Sequence, residues 1–146
     1  MADSKSEQVL KALAAAIKGS LTASSKFERN GTLPSRIPAG GFVTLHDGDP
    51  GQPEVTLSPT EYIYEHRAEV DIVVQGAKSA TRDATFDDLK QSIGTALAAD
   101  RTLGGLCDYV IGEAPAPLDL PIEGAQDLKA ATIGVILTYG TSDPLT

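Results

Sequence analysis

Two histidines stand beside carboxylates: His46 precedes Asp47 and Asp49, and His66 follows Glu65. Imidazole nitrogen and carboxylate oxygen are the donors of a zinc-like divalent site. Their spacing fits no ligand template, and Asp47-Gly48-Asp49-Pro50-Gly51 reads as ordinary turn chemistry, with glycine supplying positive φ and aspartate bonding its own backbone. No metal and no other cofactor is expected. Cys107, the single cysteine, would act as a nucleophile only with a histidine at hand to lower its pKa. Neither histidine stands in a recognisable relation to it, so a small buried hydrophobe is the expectation. Gly40-Gly41, Gly48-x-x-Gly51 and Gly104-Gly105 are rich in glycine. None follows a strand and opens a helix, as a phosphate-binding loop does. No serine sits in a Gly-x-Ser-x-Gly elbow, and spacing alone pairs no carboxylates for acid–base work. The expected set of catalytic residues is empty.

Composition narrows the classes further. The 146 residues carry a net charge of -8 and fit one domain, 1–146. An acidic chain is a poor match for phosphate backbones or an anionic membrane surface, both of which call for clustered Lys and Arg. No apolar run approaches the roughly 20 residues that span a bilayer, and the first residues lack a signal-peptide plan. One cysteine cannot cross-link the chain to itself. Hydrophobic residues make up 41% and aromatics 5%, with no Trp, so an aliphatic core in a soluble, intracellular domain is expected.

The elements that must position these residues follow from periodicity. Val9, Leu10, Leu13, Ile17 and Leu21 share one helical face; Ser4 and Glu7 fit a capping box, and Asn30-Gly31 is the expected stop. Residues 31–41 form a loop punctuated by Pro34, Pro38, Gly40 and Gly41. Phe42–His46 and Glu54–Leu57 read as strands of a hairpin, 42–57, with a wide acidic tip. From 61 to 75 the alternation is strict: Tyr62, Tyr64, Ala68, Val70, Ile72 and Val74 on one face, Glu61, Glu65, Arg67, Glu69, Asp71 and Gln75 on the other. A second helix spans about Thr81–Ala99, with Phe86, Leu89, Ile93 and Leu97 as its stripe and Asp83, Asp87 and Asp88 in its first turns. A strand over 108–113, an extended connector over 114–121 and a long strand from Leu128 to Tyr139 complete the chain. That order predicts an α+β fold: a mostly antiparallel sheet, two main helices on one face and a projecting β-hairpin.

The most distinctive run is Leu97-Ala98-Ala99-Asp100-Arg101-Thr102-Leu103-Gly104-Gly105-Leu106-Cys107-Asp108, which leaves a helix through Asp, turns on Thr-Leu-Gly-Gly and enters a strand. It resembles a segment of the tail terminator (minor tail, tail-completion) proteins of long-tailed bacteriophages. The order of elements resembles that family along the whole chain, and Leu33–Gly41 through Asp47–Gly51 is similar to phage and prophage proteins. The resemblance implies a structural virion protein without cofactor. It would be a six-subunit ring at the head-proximal end of the tail, assembled in the host cytoplasm. The ring would cap the tail tube protein, stop its elongation and offer a surface to the head-completion (connector) protein. DNA would pass through the channel without specific binding. Asp100, Leu103, Gly104, Gly105 and Leu106 are then the fold signature, with both leucines packed beneath the second helix.

The charge is compatible with this, because negative walls do not trap DNA in transit. A ring needs two different surfaces that meet head to tail. Candidates are the hairpin tip, with Asp47 and Asp49, and the mixed-charge face of Glu65, Arg67 and Glu69. A plain solvated face accounts for the same alternation. A head–tail connector or stopper, a small acyl-transfer enzyme and a free-standing adaptor domain are the alternatives.

Overall fold

The computed structural model describes residues 2–118 and 127–146. In chain order its elements are α1 (Lys5–Ser20), β1 (Lys26–Arg29), β2 (Phe42–Asp49), β3 (Glu54–Thr56), β4 (Glu61–Gln75), α2 (Ser79–Ala99), β5 (Tyr109–Gly112), β6 (Ala116–Pro117) and β7 (Leu128–Thr141). The strict alternation after residue 60 produces the spine of the sheet. β4 and β7 pair antiparallel without a break from Tyr62↔Thr141 to Gln75↔Leu128. Around them the order is β1-β2-β4-β7-β5, with β3 on β4 and β6 on β7. Among the described residues only β1–β2 is parallel. The result is the expected α+β fold with a mostly antiparallel sheet.

One face of that sheet carries the core. Even positions of β4 (Tyr64, Ala68, Val70, Ile72, Val74) and odd positions of β7 (Ile133, Val135, Leu137, Tyr139) meet the buried stripes of α1 (Val9, Leu10, Leu13, Ile17) and α2 (Phe86, Leu89, Ile93, Leu97). Each such side chain contributes roughly 1.5–3 kcal/mol when fully buried, which outweighs the weak propensities of the individual segments. The C-terminal tail closes on this layer, where the carbonyl of Thr146 accepts the backbone N–H of Lys5 at 2.9 Å.

Four local expectations are corrected. Helix α1 ends at Ser20, ten residues before Asn30. Thr22, Ser24 and Ser25 follow, side chains that compete for backbone groups, and residues 26–29 find strand partners on β2 from Lys26↔Phe42 to Arg29↔Leu45. Asn30, at φ 53°, therefore ends a strand and not a helix. The capping box is half formed: Ser4 Oγ accepts the Glu7 N–H at 3.3 Å, but the Glu7 carboxylate is taken by Arg29. Helix α2 begins at Ser79, so Asp83, Asp87 and Asp88 lie beyond its first turn and outside the reach of its dipole.

The hairpin is the fourth. Strands β2 and β3 do not pair with each other; both pair with β4, β2 through residues 67–73 and β3 through 61–63. Segment 42–57 is therefore no two-stranded arm, and the hairpin is β3 with the start of β4. Nor is Asp47-Gly48-Asp49 a turn tip. It lies inside β2 at an irregularity between His46 and Asp49, where Gly48, at φ +72°, permits a bulge. The turn begins one step later, where Asp49 Oδ1 accepts the Gly51 N–H at 2.8 Å. The strand over 109–112 and the long final strand stand as expected; of the expected connector, residues 119–121 lie outside the described residues.

Candidate functional site

The second face of the sheet is where the charged candidates gather. Register places its residues in rows across β5, β7, β4 and β2: Tyr109, Thr138 and Glu65; Ile111, Ile136, Arg67 and Asp49; Gly134, Glu69 and His46; Thr132, Asp71 and Thr44. Glu65, Arg67 and Glu69 are exposed, as are Tyr109 and Ile111. The Arg67 guanidinium donates to Glu113. It reaches that carboxylate by crossing β7 at Gly134, where a Cβ would collide with both side chains. Both partners are about half exposed, so the pair contributes no more than about 1 kcal/mol. Its effect is to fix a positive group over the middle of the face. Farther along, Asp71 holds two neighbours, His46 Nε2 at 3.1 Å and the Thr132 hydroxyl, which donates at 2.6 Å. Phe42 and Val73, paired across β2 and β4, are both buried at the far end.

The face thus brings together Asp49, Glu65, Arg67 and Glu69. It does not include Asp47. The Asp47 carboxylate accepts from Arg29 Nε at 2.9 Å and from Asn30 Nδ2 at 3.1 Å, while Arg29 also grips Glu7 through both terminal nitrogens at 3.1 and 2.6 Å. Burial pushes the Asp47 carboxyl up, but the bonds from Arg29 and Asn30 outweigh it and hold it below the usual carboxylate range. This cluster ties α1 to β1 and β2.

His66 occupies the opposite face, 3% exposed, as its even position in β4 requires. Parity was the signal for it, obscured by the ring's polarity. Its Nε2 lies 2.6 Å from the carbonyl oxygen of Asp47 and its Nδ1 2.8 Å from Tyr139 Oη. A carbonyl only accepts, so Nε2 bears the proton, and in the neutral ring Nδ1 accepts from the tyrosine hydroxyl. Both nitrogens are used in packing. His46 and His66 therefore point to different faces, and among the described residues no three His, Cys, Asp or Glu side chains converge as metal donors. Nor does Asp71 orient a nucleophile–base pair: Thr132 bonds the carboxylate directly and not the imidazole, which is not the order a catalytic triad requires.

The Asp100–Asp108 run is a built loop. Asp100 caps α2, its carboxylate accepting from the Thr102 N–H, the Thr102 hydroxyl and the Gly104 N–H at 2.8–3.0 Å. Leu103, Gly104 and Gly105 follow at φ 48°, 73° and 89°, which turns the chain back beneath the helix. Leu103 enters the core and Leu106 packs against it, as expected. Cys107 is buried beside them, and that burial pushes its thiol up to about 11. A soluble maleimide at pH 8 is accordingly expected to leave the native protein unmodified while labelling the urea-unfolded chain stoichiometrically. Rapid native labelling would contradict this packing.

No protein-family model matches the chain, and no curated protein matches it. Among solved structures it is similar to a chain of the virion of a native gene transfer agent (GTA) particle, at 14% sequence identity. The likeness covers 93% of this chain and 92% of that one, with a TM-score of 0.37.

Proposed function

We propose that this chain is a structural virion protein of the tail terminator type. Copies of it form a ring, six by the resemblance, that caps the tail tube, stops its growth and presents a surface to the connector. The gene transfer agent particle is a virion too, but the proposal stands on the residues of this chain. The observation that carries it is the open face of the sheet. Four strands wide, it alternates acidic side chains, one fixed arginine, and exposed Tyr109 and Ile111. Exposed aromatic and aliphatic groups beside a fixed arginine suit contact with another protein, with the acidic side chains as its polar rim. The capped Asp100–Leu106 loop supports the same reading, since every residue singled out there serves the scaffold. On this reading the protein performs no catalysis, holds no cofactor and makes no specific contact with DNA.

The test is the mass of the purified protein by light scattering, with negative-stain images of the same fraction, alone and with isolated tail tubes. Rings with a central hole, or tubes closed at one end, are the expected result. A single-subunit mass of 15.2 kDa together with bare tube ends would overturn the reading.

A further inference from the structure

We infer that the β3–β4 hairpin of one copy seats in the groove between α2 and β5 of the next. This inference rests on the ring reading and names the contact that closes the ring.

The hairpin has the character of an unpartnered element. Strand β3 bonds to β4 alone, through Glu54↔Ile63, Val55↔Tyr62 and Thr56↔Glu61, and its other edge has no strand among the described residues. Val55 is 49% and Leu57 75% exposed, two branched aliphatic side chains left in water. Glu54 and Glu61 flank them on the opposite parity. No Lys or Arg occurs between Arg36 and Arg67, so the hairpin itself carries acidic charge alone.

The groove has the complementary character. Its volume is ≈ 450 Å³; the core residues Ile93, Leu97 and Ile133 form its floor, exposed Ile111 is the apolar side chain it offers, and Lys90, Arg101 and Glu113 stand at the rim. The one acid there, Glu113, is engaged by Arg67 and Lys90 is engaged by Asp87 at 3.2 Å, so the positive charge the rim offers is that of Arg101, whose guanidinium donates to the Val110 carbonyl and lies over the Tyr109 ring. Gly94 also lines it. A Cβ at Gly94 would meet nothing within 4 Å, so packing within the chain does not call for glycine in the middle of α2, where it weakens the helix. The bare backbone there leaves the groove open at its middle. The two surfaces lie on different flanks of the sheet. Strand β3 extends the β2 side of β4, whereas β5 lies beyond β7. With β4 and β7 between them, a hairpin meets the groove of another copy and not its own, and such unlike surfaces generate a closed ring or a filament.

The test uses the full chain. Leu57→Cys and Gly94→Cys, made in separate proteins and mixed under mild air oxidation, are expected to give a cross-linked pair at twice the single-chain mass, which neither gives alone. Gly94→Leu fills the groove without removing a contact. Its expected result is loss of the ring to single-subunit mass, with a far-UV circular dichroism spectrum unchanged from that of the parent protein, because the thermal midpoint itself falls when association is lost. Rings that survive Gly94→Leu, with no cross-link in the mixture, overturn the inference and leave the ring reading standing. A variant that still forms rings but no longer caps tubes assigns the groove to the tube protein and overturns it as well. A parent protein that stays a monomer with and without tubes, and gives no cross-link, overturns both.

Discussion

Replacement of His66 by alanine should cost about 3–5 kcal/mol of stability, from a cavity in the core together with two stranded polar groups. His66 is the central tie of the buried face. From the middle strand it bonds Tyr139 on β7 and the backbone of Asp47 on β2, while its ring stands 5.9 Å from that of Tyr139. Without the imidazole, the Tyr139 hydroxyl and the Asp47 carbonyl lose their partners in a site closed to water. Urea unfolding should show a lower midpoint at an unchanged slope; a loss under about 1 kcal/mol would mean that water replaces the ring. Tyr139→Phe, which strands only Nδ1, should cost less, about 1–3 kcal/mol. Tyr139 also sets an alkaline limit. Burial pushes its phenol up to about 12. The folded state therefore holds its proton where the unfolded chain, near 10, has released it, and stability falls as pH rises from about 10 to about 12. Tyr139→Phe should remove that part of the alkaline loss.

Gly48→Ala should cost roughly 2–5 kcal/mol, the sum of a left-handed conformation imposed on an L-residue and of overpacking against backbone. A Cβ on Gly48 would overlap the carbonyl oxygen of Arg67 and crowd Ala68 Cα. These are main-chain atoms of the central strand and have no rotamer by which to yield. The bulge at Gly48 also places the Asp47 carbonyl where His66 Nε2 reaches it. The two substitutions should therefore be less than additive in a double-mutant cycle. Gly51→Ala is the control: φ is +70° there as well, but a Cβ meets nothing within 4 Å. It should show the conformational cost alone, about 1–2 kcal/mol. Equal losses at the two sites would mean that the β2–β4 approach is looser than the structure has it.

What could be read from the residues was whatever obeys a local period. The alternation over 61–75 fixed a strand of that length and its buried face, and the apolar stripe of α2 placed Phe86, Leu89, Ile93 and Leu97 correctly. The Asp100–Leu106 loop was legible because Asp, Thr and Gly carry their turn chemistry within a few residues. The candidate face was legible as a face: Glu65, Arg67 and Glu69 share it because a pleated strand turns alternate side chains the same way. Tertiary structure decided which segments meet. Residues 26–29 became a strand because β2 offered them a parallel edge, and no pattern within four residues announces that. The apparent hairpin over 42–57 dissolved because the long β4 could pair with both of its arms, β2 through residues 67–73 and β3 in a tight hairpin through 61–63. Asp47 was drawn off the candidate surface by Arg29, eighteen residues earlier, and Glu113 was drawn onto it by Arg67, forty-six residues earlier. Local periodicity determines which side of an element is buried, because it depends only on the geometry of that element. Strand order, ion-pair partners and the hydrogen-bond partners of His66 depend on contacts between distant segments, and only packing the whole chain selects among them.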